Sequence, residues 1–428
     1  MLFKNITILD ENLEKQENMY VGIKGREIQY IGNEMPKELY GEQYEGRGKM
    51  LMSGFYNAHG HSPMMLMRGY GENMVLQDWL DKRIFPFEAK LTGDAVYWAT
   101  SLAMAESLKF GIISTSDMYY FCEDMVRAVA ESGAKNNICR SIVNFSDQGI
   151  DELSAFQEAK DLFQRYHNAE MGRIKIDMSL HGEYTSNPKT VKQLADYTKK
   201  IGTGMQVHIS ETQFEHEECK KRHGLTPTQY LNDLGLLDSR TTAAHCVWVE
   251  NEDFDILKEK GVTVASCPVS NMKLASGICN VPKLHEMGIN VAIGTDSVAS
   301  NNSLNFLEEM KVFAIAGKTR NNNPTLVTPI ETLRAATIGG AKSQGRKNCG
   351  KLAVGCKADL IVMNLMSPNM QPIHDLANNV VYSANGSDVI LTMVDGKVLY
   401  EDGAYKTIDV EKAIYHVNQE TDRILGEL

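Results

Sequence analysis

Gly54-Phe55-Tyr56-Asn57-Ala58-His59-Gly60-His61 places two histidines one residue apart at the end of an apolar stretch. Residues two apart on a strand face the same way, so His59 and His61 can grip one metal ion. The apolar lead-in Lys49-Met50-Leu51-Met52 reads as a buried strand. Both imidazoles would then sit where that strand meets a loop, the position at which parallel α/β enzymes keep their chemistry. Such a pair also occurs on solvent-facing strands and in satisfied cores, so more is needed. Downstream, Met205-Gln206-Val207-His208-Ile209-Ser210-Glu211-Thr212 delivers a histidine and, three residues on, a carboxylate. Val291-Ala292-Ile293-Gly294-Thr295-Asp296 ends a hydrophobic strand on a carboxylate, and Ser297 and Ser300-Asn301-Asn302-Ser303 continue as a polar loop.

Outward from these segments, residues 53–346 alternate strand-like and helical stretches. Thr92 to Phe110 carries apolar residues at helical spacing and leads into the strand-like Ile112 to Asp117; Glu123 to Gly133 is a second helix stopped by glycine. Further strands are expected at Ile174 to His181, Gly204 to Ile209, Thr241 to His245, Val262 to Ser266 and Asn290 to Asp296, with helices such as Pro227 to Leu237 and Asn251 to Glu259 between them. The size and alternation predict a (β/α)8 TIM barrel. Both chain ends carry short antiparallel strands, including Phe3 to Leu9, Met19 to Ile23, Asp359 to Met363 and Val389 to Val394. Neither end has enough strand to stand alone, so residues 1–52 and 347–428 are expected to combine into one small β-sandwich.

A chain of 428 residues can bury a large core, and a formal charge of −11 argues against nucleic-acid or anionic-membrane partners. Small-molecule partners fit better, and nothing decides between a monomer and a homo-oligomer. The first residues do not read as a signal peptide and no apolar run approaches bilayer length, so a cytoplasmic protein is expected. The eight cysteines form no C-x-x-C pair and read as small buried hydrophobes in a reducing compartment.

Strand ends at His59, His61, His181, His208, His245 and Asp296 would converge on one pocket of a barrel. His59, His61, His208 and Asp296 suit one divalent metal ion, zinc first with iron or manganese as alternatives, and a water in the remaining position. Glu211, one step beyond a ligand strand, is the candidate proton shuttle, and His245 can stabilise the attacking water or the oxygen that develops charge. Alone, each has a plainer explanation: a satisfied structural histidine, a solvated glutamate, or for Asp296 a helix N-cap. Their shared place at strand ends favours the functional one. His167, His216, His223, His285, His374 and His416 lack that context and read as surface or structural.

These residues resemble the amidohydrolase superfamily in its deaminase and chlorohydrolase branch, above all the 5-methylthioadenosine/S-adenosylhomocysteine deaminases. The matching stretches are Ser53 to Arg68, Leu76 to Glu88, His208 to Thr212, Ala243 to Trp248, Cys267 to Leu274, Gly294 to Asn305 and Gly350 to Leu360. The resemblance implies a mononuclear metal on His59, His61, His208 and Asp296, with Glu211 moving protons. It further implies substrate contacts from Glu88, through ribose hydroxyls, and from His181, with Trp79 and Ser300 as additional candidates. The sequence departs from the family at His181-Gly182-Glu183-Tyr184-Thr185, where His-Ala-Pro-Tyr-Thr is usual, so Glu183 is expected as an extra pocket carboxylate. Arg140 is a loose candidate for a substrate's carboxylate. The implied reaction is hydrolytic deamination of an adenosine-type nucleoside. Alternatives on the same scaffold are guanine or cytosine deamination and triazine dechlorination or deamination; Glu88 disfavours them, having little use for a free base. A binuclear cyclic amidase is disfavoured because Ile174 to His181 ends on histidine, not lysine. The H-x-E with P-C-x-x-C deaminase pattern is absent. A non-catalytic metal-binding barrel would be expected to lack a ligand or Glu211, and none is missing.

Overall fold

A computed structural model describes all of residues 1–428. Its barrel strands are β1 (Phe55–Gly60), β2 (Ile112–Tyr119), β3 (Lys135–Arg140), β4 (Ile174–Ile176 and Met178–Leu180, interrupted at Asp177), β5 (Gly204–Ile209), β6 (Arg240–His245), β7 (Thr263–Ser266) and β8 (Asn290–Ile293). Neighbours pair in parallel from β1 to the first half of β4 and from its second half to β8. Parallel bridges Ile142↔Leu180 and Gly60↔Asp296 join the two arcs, and the Asp296 amide donates to the His59 carbonyl at 3.1 Å. The result is a (β/α)8 barrel. Ala58, Ala265 and Ala292 pack against one another inside it, small enough for three neighbouring strands to share the axis.

The helix after β1 behaves as its sequence suggests. Gly93–Lys109 starts at Thr92, whose hydroxyl accepts the Ala95 N–H at 3.2 Å, and it buries a face of Ala, Val, Met and Leu. A nine-stranded sheet draws strands from both chain ends, with Lys49–Ser53 lying between Leu2–Leu9 and Leu360–Asn364. Phe3, Ile6, Ile8, Val21, Leu51, Leu360, Val362 and Leu391 belong to its own buried core. The C-terminal helix Val410–Gly426 returns to the barrel, where Thr421 donates to the Leu66 carbonyl and Arg423 to the Lys90 carbonyl.

Four local expectations are corrected. The lead-in Lys49 to Met52 belongs to the nine-stranded sheet, and the histidines are carried by the separate strand β1. The chain breaks at Gly54, where a Cβ would stand 2.7 Å from Ile113 Cγ2, so only glycine fits between the two sheets. Strand β8 stops at Ile293, short of Asp296, whose φ of 58° is left-handed. Helix Pro227–Asp233 ends early and a 3-10 turn, Leu236–Asp238, follows Gly235 at φ 78°. Strand β3 was not expected at all. Its sequence Lys-Asn-Asn-Ile-Cys-Arg lacks an apolar alternation because it buries a polar residue on each face, Asn136 and Asn137 donating to Asp117 and Asp177 at 2.5 and 2.8 Å.

Candidate active site

The C-terminal ends of β1, β5 and β6, with the turn after β8, bring His59, His61, His208, His245 and Asp296 together. Ring centroids of His59 lie 4.8 Å from His61 and 4.9 Å from His208. The backbone supports this convergence with left-handed turns at non-glycine residues, at Ser210, His245, Cys246 and Asp296. Such conformations cost about 1–3 kcal/mol each and persist where the surroundings fix them.

The outer atoms of the cluster are tied down and the inner ones are free. His61 Nδ1 lies 2.6 Å from the Met118 carbonyl and His208 Nδ1 lies 2.5 Å from the His181 carbonyl. A carbonyl only accepts, so both Nδ1 atoms carry a proton; the His208 Nε2 lone pair is then available to the cluster, and His61 Nε2 is directed at Asp296 Oδ1. His59 Nε2 is buried without a partner. Asp296 Oδ2 accepts from Ser270 Oγ at 2.5 Å and Ser300 Oγ at 3.0 Å, leaving Oδ1 facing His61 Nε2 at 3.3 Å and His59 Nε2 at 3.7 Å. Burial, and then the neighbouring imidazoles, hold His59 and His208 well below the usual imidazole value and therefore neutral. Burial also opposes the charge on Asp296, but the His61 hydrogen bond and the surrounding imidazoles outweigh it and keep the carboxyl well below its ordinary range. At His61 burial is opposed by the Asp296 carboxylate and the Met118 carbonyl, which raise it, so a metal would displace its Nε2 proton. Three imidazoles and one carboxylate suit a divalent first-row metal.

His59, His208 and His245 also form a close triad, but His245 differs in its outer contact. The Asn271 amide nitrogen, a donor only, lies 2.9 Å from His245 Nδ1. With the amide in that orientation Nδ1 accepts and Nε2 carries the proton, so that His245 presents a hydrogen-bond donor to the pocket. Its Nε2 lies 3.7 Å from Glu211 Oε2. Burial, then the Asp296 charge, pushes Glu211 up to about 8. Glu215 accepts the Ser210 and Glu211 amide N–H groups at 2.8 and 2.7 Å and so fixes the turn that presents Glu211.

A cavity of about 670 Å³ opens over this cluster and includes His61, His181, His208, Glu211, His245, Asp296, Glu88, Trp79 and Ser300 in its wall. Burial raises Glu88 to about 7, against the pull of the Tyr119 phenol, His61 and Arg140. The Tyr119 hydroxyl is buried beside Glu88; burial, and then that carboxyl, push it up. His181 Nδ1 meets Thr185 Oγ1 at 3.2 Å, and Thr185 donates onward to the Gly182 carbonyl, so His181 Nε2 is left as an acceptor. Burial lowers His181 to about 4, which keeps it neutral near pH 7. Ser300 reaches the wall, but its hydroxyl is engaged with Asp296, Ser270 and Ser297. Leu76, Leu80, Ile84, Phe85, Met64 and Leu274 supply apolar wall.

Two expectations fail here. Glu183 does not line the cavity; it is buried and paired with Arg222 from the helix Gln213–His223. Arg140 is not in the wall either, because it is bound to Glu158 at 2.6 Å and stacks on Tyr120. No lysine or arginine lines the cavity. Residues that sequence reasoning missed are Asn271, Ser270, Glu215, Tyr119 and Asp117. Asp117 accepts from both the amide and the hydroxyl of Ser62, at 2.7 and 2.8 Å, and so holds the turn after His61. Their signal was weak: Glu215 stands among other glutamates, while Ser270 and Asn271 fall in a stretch notable only for its resemblance to the family.

Residues 50–399 match the amidohydrolase family. A 5-methylthioadenosine/S-adenosylhomocysteine deaminase of Caldanaerobacter subterraneus subsp. tengcongensis is 38% identical over 100% of this chain and 99% of its own. A 5'-deoxyadenosine deaminase of Methanosarcina mazei is 36% identical over 90% of this chain and 88% of its own. Among solved structures, a zinc-bound adenosine deaminase from Xanthomonas campestris superposes with a TM-score of 0.94 at 28% identity, covering 99% of this chain and 98% of that one.

Proposed function

The chain belongs to the amidohydrolase family of metal-dependent hydrolases acting on C–N bonds, and on that premise we propose that it deaminates an adenosine-type nucleoside with an uncharged 5' substituent. The observation that carries this reading is the composition of one cavity, in which Glu211 and His245 stand beside the imidazole cluster while a second buried carboxyl, Glu88, and apolar walls occupy the rest. We assign His59, His61, His208 and Asp296 as the metal ligands and zinc as the metal, in keeping with their donor types and with the zinc-bound relative. When bound, the cation supplies Lewis acidity that brings a water toward deprotonation near neutral pH.

The chain's own groups do the rest. Glu211, neutral or charged near its raised value, takes a proton from the attacking water and delivers one to the ring nitrogen next to the amino-bearing carbon. It then takes the remaining proton from the hydroxyl now on that carbon and passes it to the amino group as the C–N bond breaks, so that a C=O forms, one water is consumed and one ammonia leaves. His245 Nε2–H donates to the entering oxygen, and Asn271 holds it in that tautomer. Asp296 is oriented by Ser270 and Ser300 on Oδ2, which leaves Oδ1 as its ligand oxygen. Glu88 accepts from the ribose hydroxyls, Trp79 closes a wall, and His181 Nε2 accepts from the substrate. The apolar wall and the lack of a cationic side chain favour 5'-deoxyadenosine and methylthioadenosine over S-adenosylhomocysteine, whose amino-acid carboxylate would find no partner. We further propose that residues 1–52 and 347–428 form a composite β-sandwich unit supporting the barrel of residues 53–346. The eight unpaired cysteines fit a cytoplasmic setting.

The test is ammonia release from 5'-deoxyadenosine, methylthioadenosine, S-adenosylhomocysteine, adenosine, guanine, cytosine and aminotriazines. Highest kcat/KM on the first two supports the reading. Activity confined to a free base or triazine would overturn it.

A further inference from the structure

At the opposite end of the barrel, a second open cleft of about 630 Å³ is lined by Arg26, Lys135, Lys175, Arg346, Lys347 and Lys357, with Asp395 as the one carboxylate in its wall. Lys135 opens β3 and Lys175 lies in the first half of β4, at the N-terminal ends of strands whose C-terminal ends face the active site. The two sites are separated by about 20 Å, the length of a six-residue strand. In a chain of net charge −11, such a concentration of cations requires an explanation.

Part of it is structural. Lys135 bridges Asp359 and Asp395, Arg26 pairs with Asp395 at 2.5 Å, and Lys357 pairs with Glu27 at 2.7 Å. Asp177, close by, is committed to Arg240 at 2.7 Å and to Asn137. Three cations remain without a carboxylate. Lys175 and Lys347 make neither an ion pair nor a hydrogen bond, whereas other lysines of the cleft do both. Arg346 is buried, and its guanidinium donates only to neutral oxygens, the Gln344 and Asn137 side chains and the Gly172 and Arg173 carbonyls. Burial, and then the charges of Arg346 and Arg240, lower the Lys175 value, so these cations repel one another in the absence of a counter-charge. A buried guanidinium held by its neighbours, with two ammonium groups free to donate, is an arrangement that a compact dianion would complete.

We propose that this cleft binds a phosphate group, either as the free ion or on a small phosphorylated metabolite, with Lys175 and Lys347 as its direct donors and Arg346 as a fixed background charge. The volume leaves room for an organic body beyond the phosphate. This inference is independent of the deaminase assignment.

Isothermal titration of the metal-loaded protein with inorganic phosphate and, separately, ribose 5-phosphate, at ionic strength fixed with potassium chloride, tests it. We expect saturable binding of at least one, weakened about tenfold or more in Lys175→Met/Lys347→Met. Tighter binding of the ester than of the free ion would assign the metabolite as the source, and the reverse order the ion. Lys347→Met alone, at an exposed position, should show part of the loss and guards against misfolding of the double variant. Absence of binding by both probes would overturn the proposal. So would equal binding in wild type and both variants, or binding that tracks competitive inhibition of ammonia release, which would place the anion at the metal pocket.

Discussion

The two ends of the barrel bury polar groups in opposite ways. At the foot, Lys135, Asp359, Asp395 and Tyr56 form a closed set: the lysine bridges both aspartates, the Tyr56 hydroxyl donates to Asp359 at 2.8 Å, and the Asp395 amide donates to its other oxygen at 2.9 Å. At the mouth, His59 Nε2 has no partner, two carboxyls are pushed toward neutrality, and left-handed residues hold the strand ends. Burying a polar group without a partner costs free energy. The Lys135 ion-pair set at the foot therefore joins the barrel to the nine-stranded sheet, while the raised carboxyls and the unpartnered imidazole at the mouth mark where a metal and a substrate belong.

That contrast can be broken from either side. The largest effect is expected from Glu211→Gln, which should lower kcat by about 10²–10⁴-fold while the variant retains its metal and its unfolding midpoint, as measured by ammonia release and elemental analysis. Turnover near wild type would remove the proton-shuttle role. At the foot, Lys135→Met leaves buried Asp359 without its cation, Asp395 keeping only Arg26, and should destabilise by about 3–5 kcal/mol in urea unfolding, with kcat/KM of the folded fraction unchanged. A stable variant with lost activity would invert the comparison.

Smaller changes sharpen it. Glu88→Ala should lower kcat/KM on nucleosides by about 10–100-fold and leave any turnover of free adenine nearly untouched; equal losses on both would rule out ribose recognition. The raised value of Glu88, about 7 against an ordinary carboxyl near 4.5, has a sign for stability as well. The folded state holds that proton more tightly, so its contribution is full below pH 4.5 and is lost as pH rises through 7. In metal-free protein, Glu88→Gln should flatten the decline by about 1–3 kcal/mol across that window, measured by unfolding at several pH values.

Legibility in the sequence follows the same division. The convergence of His59, His61, His208 and Asp296 could be read because side chains at strand ends leave a compact pattern within each segment, and the barrel because β and α stretches alternate with ordinary periodicity. Strand β3 escaped because it buries a polar residue on each face, Asn136 and Asn137, which erases the alternation that marks a strand. Lys49 to Met52 was assigned to the wrong sheet because two adjacent apolar strands, separated only by Gly54, read as one. Glu183 looked like a pocket residue because its partner, Arg222, lies on a helix 39 residues away and no local pattern announces the pair. Asn271 acts only through the tautomer of His245, a relation that exists in space and not along the chain.

The assignment of four ligands, with His245 kept apart as a donor, is tested most directly by anomalous diffraction at the zinc edge from zinc-loaded crystals. We predict one peak, about 2.0–2.2 Å from the Nε2 atoms of His59, His61 and His208 and from Asp296 Oδ1. A peak ligated by His245 Nε2, with Asp296 outside the coordination sphere, would contradict the site as described.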